Sequence, residues 1–163
     1  NRSAAASHFN ALRCAPYAKL ATLEFCRRRK SMSVLAQHAR SGRNSLFVKG
    51  APELLLPRCT HLRLADGTTL RLTDPWRRRL REQFTAMARR PLRCLALAVK
   101  DTQLGPLAGV RPGAPPSRAA ASVLRATDRF GEVERGLTFL GMVGIKDPAR
   151  PEVAGAIDAC RAA

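Results

Sequence analysis

The sequence predicts an α+β domain, in which strands and helices follow one another without the alternating βαβ order of a parallel sheet. Three observations support this fold class. Short apolar runs, bounded by turn-forming residues, predict strands along most of the chain. One longer segment has the periodicity of an amphipathic helix. The 163 residues are 45% hydrophobic, which suffices for one globular domain with its own core and a fragment of a second.

Strand signals are dense in the first part of the chain. The predicted strands are 22–25, 31–36, 46–49, 61–64 and 69–72. Ahead of them, residues 3–17 have a weakly helical pattern, and the step Ala65-Asp66-Gly67 is a strong hairpin signal. A short helix is expected from Pro52 to about Cys59, because proline and an acidic residue both favour the first turn of a helix.

The clearest helix is predicted from Pro75 to about Arg90, with Asp74 as its capping residue. Its apolar residues recur at helical spacing, and they are Trp76, Leu80, Phe84 and Met87. Four arginines are expected on the outer face, namely Arg77, Arg78, Arg79 and Arg81. One side of this helix should therefore pack on the core while the other meets solvent.

The second half of the chain predicts two further strands, 93–99 and 137–145, and a final helix. Strand 93–99 is apolar on both faces and is expected to be buried. Residues 101–135 are rich in Gly, Pro, Ala and Ser, which predicts a flexible surface insertion without chemistry. The break at 146–151 is a candidate domain boundary, and the helix after it has the apolar stripe Val153, Ala156, Ile157 and Cys160.

The strong positive charge narrows the ligand classes without choosing among them. A formal net charge of +17 and an isoelectric point near 11.4 favour nucleic acid, an anionic membrane surface or a polyphosphate as partner. The arginines are dispersed, and for any single surface arginine a compositional bias with a solvent-facing side chain is the favoured explanation.

The five cysteines are widely spaced and form no C-x-x-C pair, so neither a zinc site nor a redox motif is indicated. Their odd number argues against a disulfide scaffold and fits a reducing, cytosolic setting. No apolar run approaches the ~20 residues that span a bilayer, so we expect a soluble piece. The P-loop, G-x-G-x-x-G and H-E-x-x-H motifs do not occur, and no catalytic or metal-binding residue is predicted.

An aromatic ring followed by cations is the first candidate binding feature. Phe25 precedes the basic run 27–30, and together they offer a flat apolar surface for a base and positive charge for phosphates. The alternative is that Phe25 ends a strand as a core residue and that the run is solvated.

Two further cations stand at strand ends. Lys49 precedes Gly50, whose missing side chain lets backbone approach a ligand closely, although a strand-to-helix turn with a solvent-facing lysine also fits. Arg93 begins an apolar strand and could present its guanidinium to a phosphate, or equally form a surface ion pair.

Five blocks of sequence stand out by their order and spacing. They begin with Thr22–Val34, which contains Phe25 and the basic run, and continue with 47–53, 92–98, 137–144 and 147–153. Together these blocks closely resemble the nucleotide domain of P-type calcium ATPases of the sarco/endoplasmic-reticulum type. The resemblance extends from Thr22 to the end and is weak over the first twenty residues and through 101–135.

The resemblance implies a mainly antiparallel sheet flanked by helices. It also implies that residues 1–146 form part of a nucleotide-binding domain, and that 147–163 contain the hinge and first helix of the returning phosphorylation domain. Asp147 and Pro148 resemble the hinge itself.

The same resemblance implies an ATP site that comprises Phe25, Arg27, Lys30, Lys49, Gly50 and Arg93. Phe25 resembles the adenine-stacking phenylalanine, and Lys30 and Lys49 the lysines that line the pocket. Arg27 and Arg93 resemble the arginines that contact phosphate.

The family resemblance further implies a parent pump that couples ATP hydrolysis, through an aspartyl-phosphate, to calcium transport at the cytosolic face of a membrane such as the endoplasmic reticulum. The expected partners are ATP, the remaining pump domains and, through membrane helices alone, calcium. Mg²⁺ ligands are expected outside this chain. Both ends look like cuts, and no D-K-T-G-T motif occurs. We therefore expect the chain alone to bind ATP weakly without hydrolysing it.

Two other functions remain open from the residues. A basic nucleic-acid-binding protein would explain the charge, and would lose about 10³–10⁵ in affinity between 50 and 200 mM salt if it made 6–10 phosphate contacts. A structural fragment that binds nothing would show no saturable nucleotide binding.

Overall fold

A computed structural model describes residues 16–90, 92–146 and 150–162. Within them, seven strands form one sheet: β1 (Tyr17–Cys26), β2 (Ser31–His38), β3 (Asn44–Gly50), β4 (Cys59–Arg63), β5 (Thr69–Arg71), β6 (Leu92–Lys100) and β7 (Leu137–Lys146). Their order across the sheet is β1-β2-β3-β6-β7-β4-β5. The β4–β7 pair is parallel, whereas the other neighbours are antiparallel. The predicted α+β class with a mixed, mainly antiparallel sheet is confirmed.

The helices of the described residues are α1 (Pro52–Leu55), α2 (Asp74–Ala88), α3 (Arg118–Arg125), α4 (Phe130–Val133) and α5 (Glu152–Ala162). Short 3-10 turns occupy Leu56–Arg58, Gly105–Gly109 and Thr127–Arg129. Helix α2 confirms the clearest helix of the sequence, but the capping prediction for Asp74 was wrong. The Arg77 amide donates to the Thr73 carbonyl, which closes the first turn one residue earlier.

The apolar stripe of α2 faces the core, where Trp76 and Leu80 pack against it. Arg77, expected on the outer face, lies instead beside this stripe. Its guanidinium donates to the carbonyls of Leu56 and Cys59 at 2.9 and 2.7 Å. Leu56 begins the 3-10 turn and Cys59 is the first residue of β4, so this guanidinium bridges the two ends of the turn.

One face of the sheet holds the core, which the alternation of β2, β3 and β6 makes apolar. Buried residues on these three strands include Leu35, Leu46, Val48, Ala96 and Ala98. Strand β6 was expected to be buried on both faces, and this was wrong because Leu97 is 36% exposed. The opposite face of β3 and β6 stays partly open in the described part of the chain.

The segment 101–135 contributes to the core and is not confined to the surface as its composition suggested. It contains α3 and α4, and it buries Leu107 and Phe130. The side-chain amide of Asn44 donates to the carbonyls of Leu107, Ala108 and Val110, which fixes the segment to the start of β3. Gly and Pro in this segment shape tight turns around a few apolar anchors.

Helix α5 buries none of its described side chains, and its predicted apolar stripe is open, with Val153 and Ile157 exposed. The proposed hinge residues Asp147 and Pro148 lie outside the described residues, as does most of the weakly helical pattern at 3–17. Among the helices that the structure describes, none is long and apolar enough to cross a bilayer.

Candidate functional site

The turn between β1 and β2 brings the basic run against the end of β3. Lys30 adopts a left-handed backbone conformation with φ 45°, which is uncommon for a residue with a side chain. Its amide donates to the Cys26 carbonyl at 2.8 Å, and its carbonyl accepts from the Ala51 amide at 2.9 Å. The turn is therefore held from both sides by backbone hydrogen bonds.

Gly50 is required for this close approach. It is paired with Ser31, and a side-chain carbon added to it would lie 2.6 Å from the Lys30 carbonyl oxygen and 2.7 Å from the Ser31 Cβ. Its phi angle is not in the left-handed region, so space and not conformation demands glycine. In the structure, the missing side chain of Gly50 leaves room for the neighbouring chain at Lys30 and Ser31.

An apolar groove of about 290 Å³ lies on the open face of the central strands. Its lining residues are Met32, Val34, Phe47, Val48, Lys49, Leu97, Ala98 and Leu140. Lys49 is the single charged residue of this lining, and it is directly paired with Met32 on β2 and Leu97 on β6. Apolar walls with one cation suit a flat ring that carries an anionic group.

Arg93 lies on the same sheet face as Lys49. Leu97 is opposite Lys49, and Arg93 stands four residues earlier on β6, so the alternation of side chains places Arg93 and Leu97 on one face. Their positions are about 13 Å apart along the strand. Arg93 is exposed. The pairing thus aligns two of the predicted cations across one surface.

Phe25 lies in a bulge of β1, where the register shifts between Leu23 and Cys26. Its ring is 61% exposed, so it is not a core residue. It stands on the edge strand and does not line the groove, which begins at Met32 on β2. Arg27 is exposed in the turn that follows.

Lys30 forms an ion pair with Glu53 at the start of α1, with Nζ 3.3 Å from a carboxylate oxygen. The two side chains are 55% and 46% exposed. Exposed pairs of this kind contribute about 0–1 kcal/mol, so Lys30 can exchange this partner for an anionic ligand at low cost.

A buried carboxylate, absent from the sequence predictions, lies directly beneath this turn. Glu134 is fully buried, and its oxygens accept from Arg29 Nε at 3.2 Å, Arg58 Nη1 at 2.7 Å and Ser31 Oγ at 2.6 Å. The Ser33 hydroxyl is a further donor. No local signal could have identified Glu134, because its partners lie 76 to 105 positions away.

Two cysteines near the site differ in ionisation. Backbone amides of Arg29 and Arg28 hold the pKa of the half-buried Cys26 thiol below its usual value. Burial raises the pKa of the Cys59 thiol to about 12, against the smaller opposing effect of Arg77 and Arg58. Within the described residues, no three His, Cys, Asp or Glu side chains cluster as a metal site would require.

Comparisons with known proteins agree with this architecture. A family model described as P-type ATPase, cytoplasmic domain N, matches residues 4–152. The chain is 41% identical over 143 residues to the endoplasmic reticulum-type calcium-transporting ATPase 2 of Arabidopsis thaliana, covering 88% of this chain and 13% of the relative.

Two further relatives give similar values. The endoplasmic reticulum-type calcium-transporting ATPase 4 of Arabidopsis thaliana is 37% identical, covering 98% of this chain and 15% of the relative. A probable calcium-transporting ATPase of Trypanosoma brucei brucei is 39% identical, covering 89% of this chain and 14% of the relative. The chain therefore spans about one seventh of the length of these relatives, and it belongs to the P-type ATPase cytoplasmic domain N family.

Proposed function

We propose that this chain binds ATP, as the nucleotide-binding part of a longer calcium-transporting P-type ATPase. The observation that carries the proposal is the apolar groove with Lys49 at its lining and Arg93 on the same sheet face. An adenine ring needs an apolar surface, and a triphosphate needs cations beyond it. The groove and the two cations supply these features on one surface.

The remaining predicted residues would complete the site from the neighbouring edge. Phe25 is exposed and free of the core, so its ring is accessible for stacking on a base. Arg27 is exposed beside it, and Lys30 is held near Gly50 by the turn. The net charge of +17 would raise the local concentration of an anionic nucleotide.

In the longer protein, we propose that residues 1–146 deliver nucleotide and that 147–163 return the chain to a phosphorylation domain through Asp147 and Pro148. Closure about this hinge would bring the γ-phosphate to an aspartate outside this chain, so catalysis would consist mainly of positioning and charge neutralisation. In this proposal the Mg²⁺ that accompanies ATP takes its protein ligands from parts of the longer protein outside this chain.

Calcium enters the proposal through the relatives, whose names describe calcium-transporting ATPases, two of them of the endoplasmic reticulum type. We propose the same transported ion for the longer protein, with this domain at the cytosolic face of that membrane. Its other partners would be the remaining pump domains.

The test is to titrate ATP, ADP and AMP against Phe25→Ala and Arg93→Ala, after circular dichroism shows that each variant is folded. Phe25→Ala should weaken all three nucleotides by similar factors, equivalent to the ~1–3 kcal/mol of base stacking. Arg93→Ala should weaken ATP by about 1.5–3 kcal/mol and spare AMP, because only a long phosphate chain reaches the guanidinium.

Arg71→Ala is the matched control for Arg93→Ala, since Arg71 is also an exposed strand arginine but lies on β5 at the far edge of the sheet. It should leave all three affinities unchanged. Equal losses for Arg93→Ala across the three nucleotides, or no loss for Phe25→Ala, would overturn this orientation. Absence of saturable ATP binding by the unchanged chain would overturn the function itself.

A further inference from the structure

Glu134 is connected to both ends of the nucleotide-site turn through two arginines. Its carboxylate is the shared acceptor for Arg29 and Arg58. Each guanidinium also donates through its Nη2 atom to backbone carbonyls, which belong to Leu23 and Glu24 on β1 for Arg29 and to Arg29 in the turn for Arg58. Their targets show what the buried carboxylate holds in place.

Arg29 fixes the backbone that precedes Phe25. Its Nη2 donates to the Leu23 carbonyl at 2.9 Å and also to the Glu24 carbonyl. Glu24 is the residue directly before Phe25, so the peptide that orients the exposed ring is held by this guanidinium. The Arg29 Cζ lies 5.1 Å from the centroid of the Phe130 ring, which limits movement on the other side.

Arg58 fixes the backbone that precedes Lys30. Its Nη2 donates to the Arg29 carbonyl at 2.9 Å, and Lys30 follows with its left-handed conformation. The Lys30 carbonyl is in turn bound by the Ala51 amide, next to Gly50. Hydrogen bonds therefore hold both the carbonyl that precedes Lys30 and the carbonyl of Lys30 itself.

We infer that Glu134 is a positioning residue for the nucleotide site. It holds Arg29 and Arg58, and through them the carbonyls that precede Phe25 and Lys30. The inference rests on the proposed function, and it assigns a role to the segment 101–135, whose composition had suggested none. Glu134 touches no nucleotide in this scheme, because it is fully buried beneath the turn.

A carboxylate is the group that this position needs. Two cationic guanidinium groups, only 6% and 18% exposed, converge on Glu134, and burying them without a counter-charge would be unfavourable. A glutamine has nearly the same shape, but it is neutral and its amide nitrogen would face an arginine donor. Glu134→Gln therefore disturbs the turn while it preserves the packed volume.

The experiment compares Glu134→Gln with Glu132→Gln in the complete 163-residue chain. Glu132 lies two positions away, and its replacement by glutamine removes the same negative charge. The ion pair of Glu132 with Arg129, however, is exposed. A third variant, Leu107→Ala, removes core volume in the same segment and serves as a control for general destabilisation.

The first measurement is amide hydrogen exchange without nucleotide. Glu134→Gln should speed exchange of the Lys30 and Ala51 amides by about tenfold or more relative to the β4–β5 amides, because the turn opens locally. Glu132→Gln should leave them unchanged. Equal protection of these amides in Glu134→Gln and the unchanged chain would overturn the inference.

The second measurement is ATP affinity well below each variant's unfolding temperature. Glu134→Gln should weaken binding about tenfold, the factor expected when one charged contact of a site is lost. Leu107→Ala should bind normally even if it unfolds at a lower temperature. Normal affinity in Glu134→Gln, or an equal loss in Leu107→Ala, would show that Glu134 is only structural.

The two measurements also separate this inference from the proposed function. If the unchanged chain binds no nucleotide, the proposed function fails and the positioning role fails with it, whereas the exchange data still decide whether Glu134 holds the turn. If Glu134→Gln does not fold, Ser33→Ala removes one hydroxyl donor from the carboxylate and retains all charges. It should give smaller changes in the same two measurements, and no change in either would overturn the inference.

Discussion

The four consecutive cations of the β1–β2 turn have four different environments. Arg27 is exposed, and Arg28 donates to the Asp128 carbonyl at 2.6 Å. Arg29 is 6% exposed and bound to a buried carboxylate, whereas Lys30 is half-exposed in a left-handed conformation. Adjacent positions in a turn point in different directions, so each meets a different part of the fold. The run thus combines a structural arginine with cations that remain available to a ligand.

Cysteine labelling tests the electrostatics of this turn. We expect N-ethylmaleimide to modify Cys26 in the folded chain at a lower pH than the same cysteine in chain unfolded by urea, because backbone amides stabilise its thiolate. Cys59 should stay unmodified until urea is added, since it is buried and its pKa is raised to about 12. Peptide mass spectrometry across a pH series measures both.

The labelling order distinguishes local electrostatics from simple accessibility. If accessibility alone determined the rate, Cys26 would react faster in the unfolded chain than in the folded chain at every pH. A Cys26 profile that shifts to higher pH on folding, or labelling of Cys59 in folded chain, would contradict the structure.

At the scale of elements, the contact between β2 and β3 depends on one missing side chain. Gly50→Ala should destabilise the chain by about 1–3 kcal/mol, because the new methyl group would meet the Lys30 carbonyl and force the two strands apart. Urea denaturation followed by circular dichroism gives the free energy of unfolding. ATP affinity should fall as well, since the turn would shift.

Gly141→Ala on β7 is the control for this prediction. A side-chain carbon at Gly141 meets nothing within 4 Å, and its phi angle is also unrestricted. Replacing a strand glycine there should be neutral or stabilising by about 0.5–1 kcal/mol. Similar unfolding free energies for the two variants would show that the close approach at Gly50 is not tight.

Elements with strong local patterns were predictable from the sequence, and their environments were not. The stripe on α2 and the alternation of β2 and β3 repeat within a few residues, so periodicity identifies them. The exposure of Leu97 depends on what covers the second sheet face, and the burial of Glu134 depends on partners distant in sequence. The cations were candidates from their positions in the sequence and received roles from the resemblance, whereas the sheet face that Lys49 and Arg93 share follows only from strand pairing.

At the scale of the whole molecule, we propose that this chain binds ATP and that the acceptor aspartate lies elsewhere in the longer protein. The prediction is that the chain binds ATP without hydrolysing it. The 163 residues contain no D-K-T-G-T motif, so no acceptor aspartate of that kind is present to receive a phosphoryl group. We expect the chain to bind ATP weakly and to release no phosphate above the level of a Phe25→Ala control. A steady-state phosphate assay with excess ATP and Mg²⁺ measures this, and release that depends on Phe25 would contradict it.

The distance in sequence between Arg29 and Glu134, 105 positions, also orders events during translation. A ribosome completes β1, β2 and β3 long before it reaches residue 134. In a nascent chain that ends before Glu134, Arg29 and Arg58 therefore lack their counter-charge. Such a chain should keep the turn solvated and its carbonyls loosely held. The proposed nucleotide site should then be among the last parts to reach its final shape, although Phe25, Lys30 and Lys49 are synthesised long before Glu134.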